Sequence, residues 1–221
     1  METREILARF DEQMRRAAAP EGLRVGDGWS AVLWPPADGD VEATVARMCE
    51  VRGYVEWKYY EHDGPELRQR LLAAGLVPAE EETVLVAEAA SIAPPPPDVE
   101  LREETEAFSR LAARVFGRSY GTGIPEGSVA VVAYVDGEPV SGGRVDLDPG
   151  VDFAGLYGGV TLPEHRGRGL YRATVARRAA LARERGYRWL YVDALPTSRP
   201  ILERLGFVRL TATTPFTLPS V

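Results

Sequence analysis

The stretch Val160-Thr161-Leu162-Pro163-Glu164-His165-Arg166-Gly167-Arg168-Gly169-Leu170 leads from an apolar segment, through a proline turn and a basic glycine-rich loop, onto the start of a long helical pattern. Two glycines let a backbone approach a ligand closely. The N–H groups at a helix start, at the positive end of its dipole, form an anion cradle. Arg166 and Arg168 put fixed positive charge beside it, and a diphosphate fits such a site best.

Working outward, a helix is expected from Gly169 to about Arg185. Leu170, Tyr171, Thr174, Val175, Ala179, Leu181 and Ala182 share one half of its wheel, interrupted by Arg178, so it should pack on a sheet. The arginines after Tyr171 read as a solvated face. Downstream come a strand at 187–193, a helix at 198–205 capped by Thr197 or Ser198 with Pro200 in its first turn, and one or two closing strands over 207–218. Upstream, the strand 152–162 feeds the loop, and strands at 129–135 and 140–147 meet across Asp136-Gly137, a strong hairpin signal. Before them lie a short strand at 99–102, a helix at about 104–116 and a Gly-rich loop with Tyr120, Gly121, Gly123 and Pro125.

The 221 residues carry a net charge of -7, which argues against a nucleic-acid partner. No run reaches the length of a membrane span, and the charged N-terminus lacks the apolar core of a signal peptide, so a soluble cytoplasmic protein is expected. The single cysteine, Cys49, flanked by Val45, Met48 and Val51, reads as a small core residue.

The first half reads as a helix at about 3–19, a strand at 29–34, a helix at 41–51 capped by Asp40, a strand at 54–60, a helix at 65–74 and a strand at 83–87. Val55, Trp57 and Tyr59 alternate as core positions of one strand. The run Ser91-Ile92-Ala93-Pro94-Pro95-Pro96-Pro97 is neither helix nor paired strand and reads as a stiff linker between domains. An internal echo joins the halves. Arg52-Gly53-Tyr54 matches Arg185-Gly186-Tyr187, and Leu71 to Val77 follows at nearly the distance of Leu202 to Val208. The first copy has acidic Pro36-Ala37-Asp38-Gly39-Asp40 where the second has the cradle, so it should repel phosphate.

These residues resemble the GNAT (Gcn5-related N-acetyltransferase) superfamily. Residues 98–221 look like a complete GNAT domain, with 163–169 as its acyl-CoA loop and Ile201 to Phe207 as its fourth-helix motif. Residues 25–90, in a half spanning 1–90, look like a degenerate copy, so the chain resembles a tandem GNAT protein joined through 91–97. The fold class implied is α/β (α+β), a mixed central sheet flanked by helices. The activity implied is transfer of acetyl from acetyl-CoA, or of another acyl group, to a primary amine of a small molecule or peptide, with no metal and no covalent enzyme intermediate. On this resemblance Val160 and Thr161 pair with the pantetheine amides, and Arg166, Gly167, Arg168, Gly169, Leu170 and Tyr171 form the pyrophosphate cradle. A backbone N–H polarises the acyl carbonyl where two strands splay. No nucleic acid or membrane partner is expected, and either a monomer or a homodimer fits.

The chain departs from the family pattern in named places. Tyr171 stands where a small residue closes the loop motif, Leu202 where many relatives carry a proton-donating Tyr, Leu195 where an Asn is frequent, and Ala154-Gly155-Leu156-Tyr157 where a Glu base is common. A positioned water, Tyr157 or Ser198 could move the proton, or proximity alone could suffice with solvent taking it. His165 reads as a surface residue and His62 lies in the other half. No P-loop, Gly-x-Ser-x-Gly elbow, Cys/His metal spacing or Gly-x-Gly-x-x-Gly is present. A CoA-binding protein without turnover, regulatory or scaffolding, is the competing class.

Overall fold

The computed structural model describes residues 2–19, 22–25, 29–36, 39–117 and 124–219. In chain order the elements are α1 (Thr3–Phe10), β1 (Leu23–Arg24), β2 (Ser30–Val32), α2 (Val41–Glu50), β3 (Val55–Tyr60), α3 (Pro65–Ala73), β4 (Val77–Pro78), β5 (Glu82–Glu88) and β6 (Glu100–Glu103). There follow α4 (Thr105–Phe116), β7 (Val129–Val135), β8 (Glu138–Asp146), β9 (Phe153–Thr161), α5 (Leu170–Glu184), β10 (Trp189–Ala194), α6 (Arg199–Arg204) and β11 (Val208–Thr217). This is the mixed α/β architecture expected. The closing segment is one strand, β11. The loop glycines Gly121 and Gly123, with Tyr120, lie outside the described residues.

Two compact units emerge. The first contains Met1–Val84, Ala194–Thr197 and Arg209–Val221; the second contains Leu85–Asp193 and Ser198–Val208. The Pro-rich run 91–97 thus lies within the second unit, where 93–96 has neither helix nor strand.

In the first unit β1 pairs antiparallel with β2, β2 pairs parallel with β3, and β3 pairs antiparallel with β11, which also takes β4. All six residues of β3 are buried. The expected core positions Trp57 and Tyr59 pack with Val32, Met48, Leu71 and Phe216. The strand's polar residues are satisfied: Glu56 accepts hydrogen bonds from Trp29 Nε1 (3.0 Å) and the Tyr54 hydroxyl (2.7 Å), and Lys58 pairs with Glu82 at 3.2 Å. Asp40 caps α2 by accepting from the Ala43 N–H at 2.8 Å, as its position predicts.

Two expectations for this unit fail. Cys49 is exposed, because the buried stripe of α2 is Val41, Thr44, Val45 and Met48, and position 49 falls outside it. The first helix is not uniform: after Phe10 it continues as a π-helical turn, Asp11–Arg16. That turn carries the fully buried Arg15. Its guanidinium donates to both oxygens of Asp63 (2.6 and 2.8 Å), to Asp11 (2.7 Å) and to the Leu33 carbonyl (3.0 Å), and lies 3.9 Å from the Tyr60 ring centroid. His62 joins the same network through Asp11 and Thr211.

In the second unit the strand order is β10-β9-β8-β7-β6, with β9 and β10 parallel and the other pairs antiparallel. The β7–β8 turn uses Asp136 (φ 51°) and Gly137 (φ 81°), the two positive φ angles of a tight hairpin turn. A side chain at Gly142 would lie 3.2 Å from Phe108 of α4, while one at Gly143 would lie 2.6 Å from Arg178 of α5. Successive strand residues point to opposite faces, so α4 and α5 cover opposite sides of this sheet. Phe108 and Leu111 of α4 share a core with Val132, Val140, Val160, Leu162 and Leu170. Ten of the fifteen residues of α5 are buried, including Arg178 at 1% exposure. The solvated arginine face predicted for this helix therefore excludes Arg178, which points inward between helix and sheet.

Candidate acyl-transfer site

β9 decides the geometry. Its ladder with β10 covers only Trp189–Phe153, Leu190–Ala154 and Tyr191–Gly155; beyond Gly155, β9 runs on along β8 to Thr161 while β10 runs on to Ala194. The parallel pair thus parts at Gly155 and Tyr191. On its other edge the β8 register slips: Gly142 faces Val160, but Arg144 faces Tyr157. One extra residue therefore sits in β9, a bulge at Gly158-Gly159, with Gly158 at φ +62°. A bulge takes backbone groups out of the ladder and re-aims them, which suits an N–H that must meet a ligand oxygen. The signal was in the sequence, two consecutive glycines inside a strand pattern, but alternation alone does not reveal a bulge.

Past β9 the chain makes a single turn at Pro163–His165, and Gly167 and Gly169 follow with φ of +76° and +79°. Positive φ at both positions is the backbone route by which the loop reaches the first residue of α5. Gly169 is the N-cap of α5, and no side chain among the described residues caps the helix. The contrast with α2 is direct: there the Asp40 carboxylate already occupies the N-terminus. Arg166 and Arg168 are exposed beside the loop; Arg166 donates to the Thr161 carbonyl at 3.3 Å and Arg168 contacts His165 Nδ1 at 3.0 Å. The loop's carboxylate, Glu164, lies 3.5 Å from Arg114. Val160 and Thr161 are anchored from β8, where Ser141 Oγ donates to the Val160 carbonyl (2.9 Å) and meets Thr161 Oγ1 (2.8 Å). An uncapped helix start, two left-handed glycines and two cations fit a diphosphate.

Tyr171, the bulky departure at the loop's end, does not crowd the helix tip. Its ring lies against Gly159, 2.7 Å from where a Cβ there would stand, so the bulge glycine makes room for it. Burial raises its phenol pKa, partly offset by the Arg178 guanidinium.

Of the two proton-moving candidates, Tyr157 lies where the strands part. Its hydroxyl is 2.5 Å from that of Tyr191, the rings meet edge to face at 6.0 Å, and the Arg144 guanidinium sits 5.1 Å from the Tyr157 centroid. Burial, reinforced by Tyr191, Asp193 and Asp146, drives the Tyr157 pKa well above that of an ordinary phenol. It keeps its proton at neutral pH, which suits a hydrogen-bond donor and not a base. Ser198 is the N-cap of α6, and its carbonyl accepts from the Ile201 N–H at 3.0 Å; the hydroxyl partner of Tyr157 is Tyr191 instead. Leu202 is fully buried in the core. Sequence reading missed Tyr191, because Leu190-Tyr191-Val192 looks like an ordinary core strand.

Residues 91–207 match the acetyltransferase (GNAT) family. No curated protein matches the sequence significantly. Among solved structures, a GCN5-related N-acetyltransferase from Kribbella flavida superposes with a TM-score of 0.70 at 16% identity, over 98% of this chain and 95% of its own. A GNAT-family protein from Novosphingobium aromaticivorans gives 0.62 at 20% identity, over 91% and 87%. A tandem GNAT protein from the clavulanic acid biosynthesis pathway gives 0.57 at 16% identity, over 89% and 77%. At these identities the likeness is one of fold. Together with the family match over more than half the chain, it shows that this protein belongs to the GNAT acetyltransferase family.

Proposed function

We propose that this protein is an acyl-CoA-dependent N-acyltransferase that moves acetyl from acetyl-CoA to a primary amine of a small molecule or peptide. The carrying observation is the uncapped start of α5 behind Gly167 and Gly169, set directly after a strand that bulges and parts from its neighbour. In this reading the N–H groups of Gly167 to Leu170, with Arg166 and Arg168, hold the pyrophosphate, and Tyr171 stands at the entrance of the helix. The backbone of Val160 and Thr161 pairs with the pantetheine amides. Bound acetyl-CoA supplies the activated acyl group. The amine nitrogen forms a bond to the carbonyl carbon, the carbon–sulfur bond breaks with its electrons going to sulfur, and the amine's proton leaves to solvent. An N–H at the Gly158-Gly159 bulge faces the carbonyl oxygen, and Tyr157, held by Tyr191, donates a hydrogen bond towards the departing sulfur.

The first unit repeats the plan of the second, since β2-α2-β3 and β9-α5-β10 are both parallel pairs joined by a helix. We read it as a degenerate GNAT half whose α2 start, closed by Asp40, does not take CoA. A cytoplasmic protein acting on small amines, without nucleic acid or membrane, completes the reading.

Thiol release from acetyl-CoA over a panel of primary amines tests it. Release with at least one acceptor supports the proposal. CoA binding without release for every acceptor favours a CoA-binding regulatory or scaffolding protein, the reading consistent with Leu202 being locked in the core. No CoA binding rejects both.

A further inference from the structure

The guanidinium of Arg178 is buried between α5 and the sheet and forms no ion pair among the described residues; burial lowers its pKa, against the Tyr171 phenol and the Asp146 carboxylate, which favour its charge. Its Nε donates to the Thr174 carbonyl (3.1 Å) and its Nη1 to the Arg144 carbonyl (3.1 Å), while Nη2 has no hydrogen-bond partner among the described residues. Gly143 makes the room: a Cβ there would lie 2.6, 2.7 and 2.9 Å from Nη1, Cζ and Nη2, so the guanidinium packs directly on the strand backbone. Gly143 is the β8 residue between the two ends of the register slip, opposite the bulge of β9. On the same face Tyr171 covers Gly159. Two glycines thus open the sheet at the bulge, and a cation and a phenol fill the space.

A buried charge without a directly paired counter-ion costs several kcal/mol in desolvation, and an apolar side chain of similar volume is often as stable or more so. Packing alone gives no reason for an arginine here. We infer that Arg178 is a positioning residue for acyl transfer, acting through the bulge of β9: it fixes the bulged backbone from behind and adds positive potential where the thioester oxygen gains negative charge. This rests on the acyltransferase reading above. The charge is buried, and electrostatic effects are larger in a low-dielectric interior than in water. In the transfer the new nitrogen–carbon bond replaces the carbon–sulfur bond, and Arg178 neither gives nor takes a proton.

The test uses the full-length protein with acetyl-CoA labelled with ¹³C at the acetyl carbonyl, and needs no acceptor. The bound wild-type carbonyl resonance is expected downfield of free acetyl-CoA, reporting polarisation. Arg178→Met and Arg178→Gln should bind acetyl-CoA within roughly threefold of wild type, melt no lower than wild type, and lose most of that displacement. Arg178→Lys should retain most of it. With an amine that supports turnover, the neutral variants should lose about tenfold or more in kcat at nearly unchanged KM. A wild-type resonance at the free position, an unchanged displacement in a folded neutral variant, or failure of both neutral variants to fold overturns the inference, the last by making Arg178 structural. Failure of wild type to bind acetyl-CoA is a separate result, and it removes the acyltransferase reading itself.

Discussion

The hydroxyls of Tyr157 and Tyr191 lie 2.5 Å apart, on the two parallel strands at the place where their ladder ends. Gly155, paired with Tyr191, is part of the arrangement: a Cβ there would stand 2.5 Å from the Tyr157 ring. A phenol whose pKa burial has raised keeps its proton, which is what the proposed role of Tyr157 on the leaving-group side of the reaction requires. Tyr157→Phe should lower kcat by about 10²-fold with little change in the Kd for CoA, and Tyr191→Phe should lower it less. Equal losses in both Kd and kcat would contradict this role.

The same shift makes a prediction about alkaline stability. A pKa raised in the folded state gives stability that is fully present below the unfolded value near 10 and is lost as pH rises beyond it. Wild type should therefore lose more thermal stability between pH 8 and pH 11 than Tyr157→Phe does. Parallel losses in melting experiments would show that the phenol ionises as freely as in water.

Gly169 holds φ +79° at the tip of α5. Gly169→Val places a β-branched residue in the left-handed region, at a cost of about 1–2 kcal/mol, and puts a side chain where the diphosphate is expected to sit. The fold should survive and CoA binding should be lost in calorimetry. Unchanged affinity would place the cradle elsewhere.

Arg15 and Asp63 form a bidentate pair in the first unit, with side-chain exposures of 0% and 5%. Asp63→Asn leaves a buried guanidinium short of its main counter-charge, and urea unfolding should report a loss of roughly 3–5 kcal/mol. A change below about 1 kcal/mol would mean that Asp11 and the rings of Trp34 and Tyr60 compensate.

Asp11 gives this network its acid sensitivity. Burial alone raises its carboxyl pKa, but hydrogen bonds from His62 and Arg15 outweigh that and hold it below the ordinary 3.8. A depressed folded pKa contributes stability above about pH 4 that is lost as pH falls through the folded value. Asp11→Asn should destabilise the protein at pH 7, and the difference should narrow progressively as pH falls below about 4. A gap of constant size from pH 7 down to the acid-unfolding range would trace the effect to packing.

The sequence by itself determined the main elements and the glycine turn into α5, because these depend on neighbours in the chain: Asp40 before a helical run, Asp136-Gly137 between two strands, and Gly167 and Gly169 ahead of α5. Tertiary structure alone decided which residues share a face and which backbone leaves the ladder. Cys49 turned outward because its helix buries a different stripe, and Arg178 turned inward because Gly143, thirty-five positions earlier, left space for it. The bulge at Gly158-Gly159 and the meeting of Tyr157 with Tyr191 exist only once β8, β9 and β10 are aligned. Register and burial arise from contacts distant in sequence; the paired glycines mark where β9 can bulge, but not the register that makes the bulge.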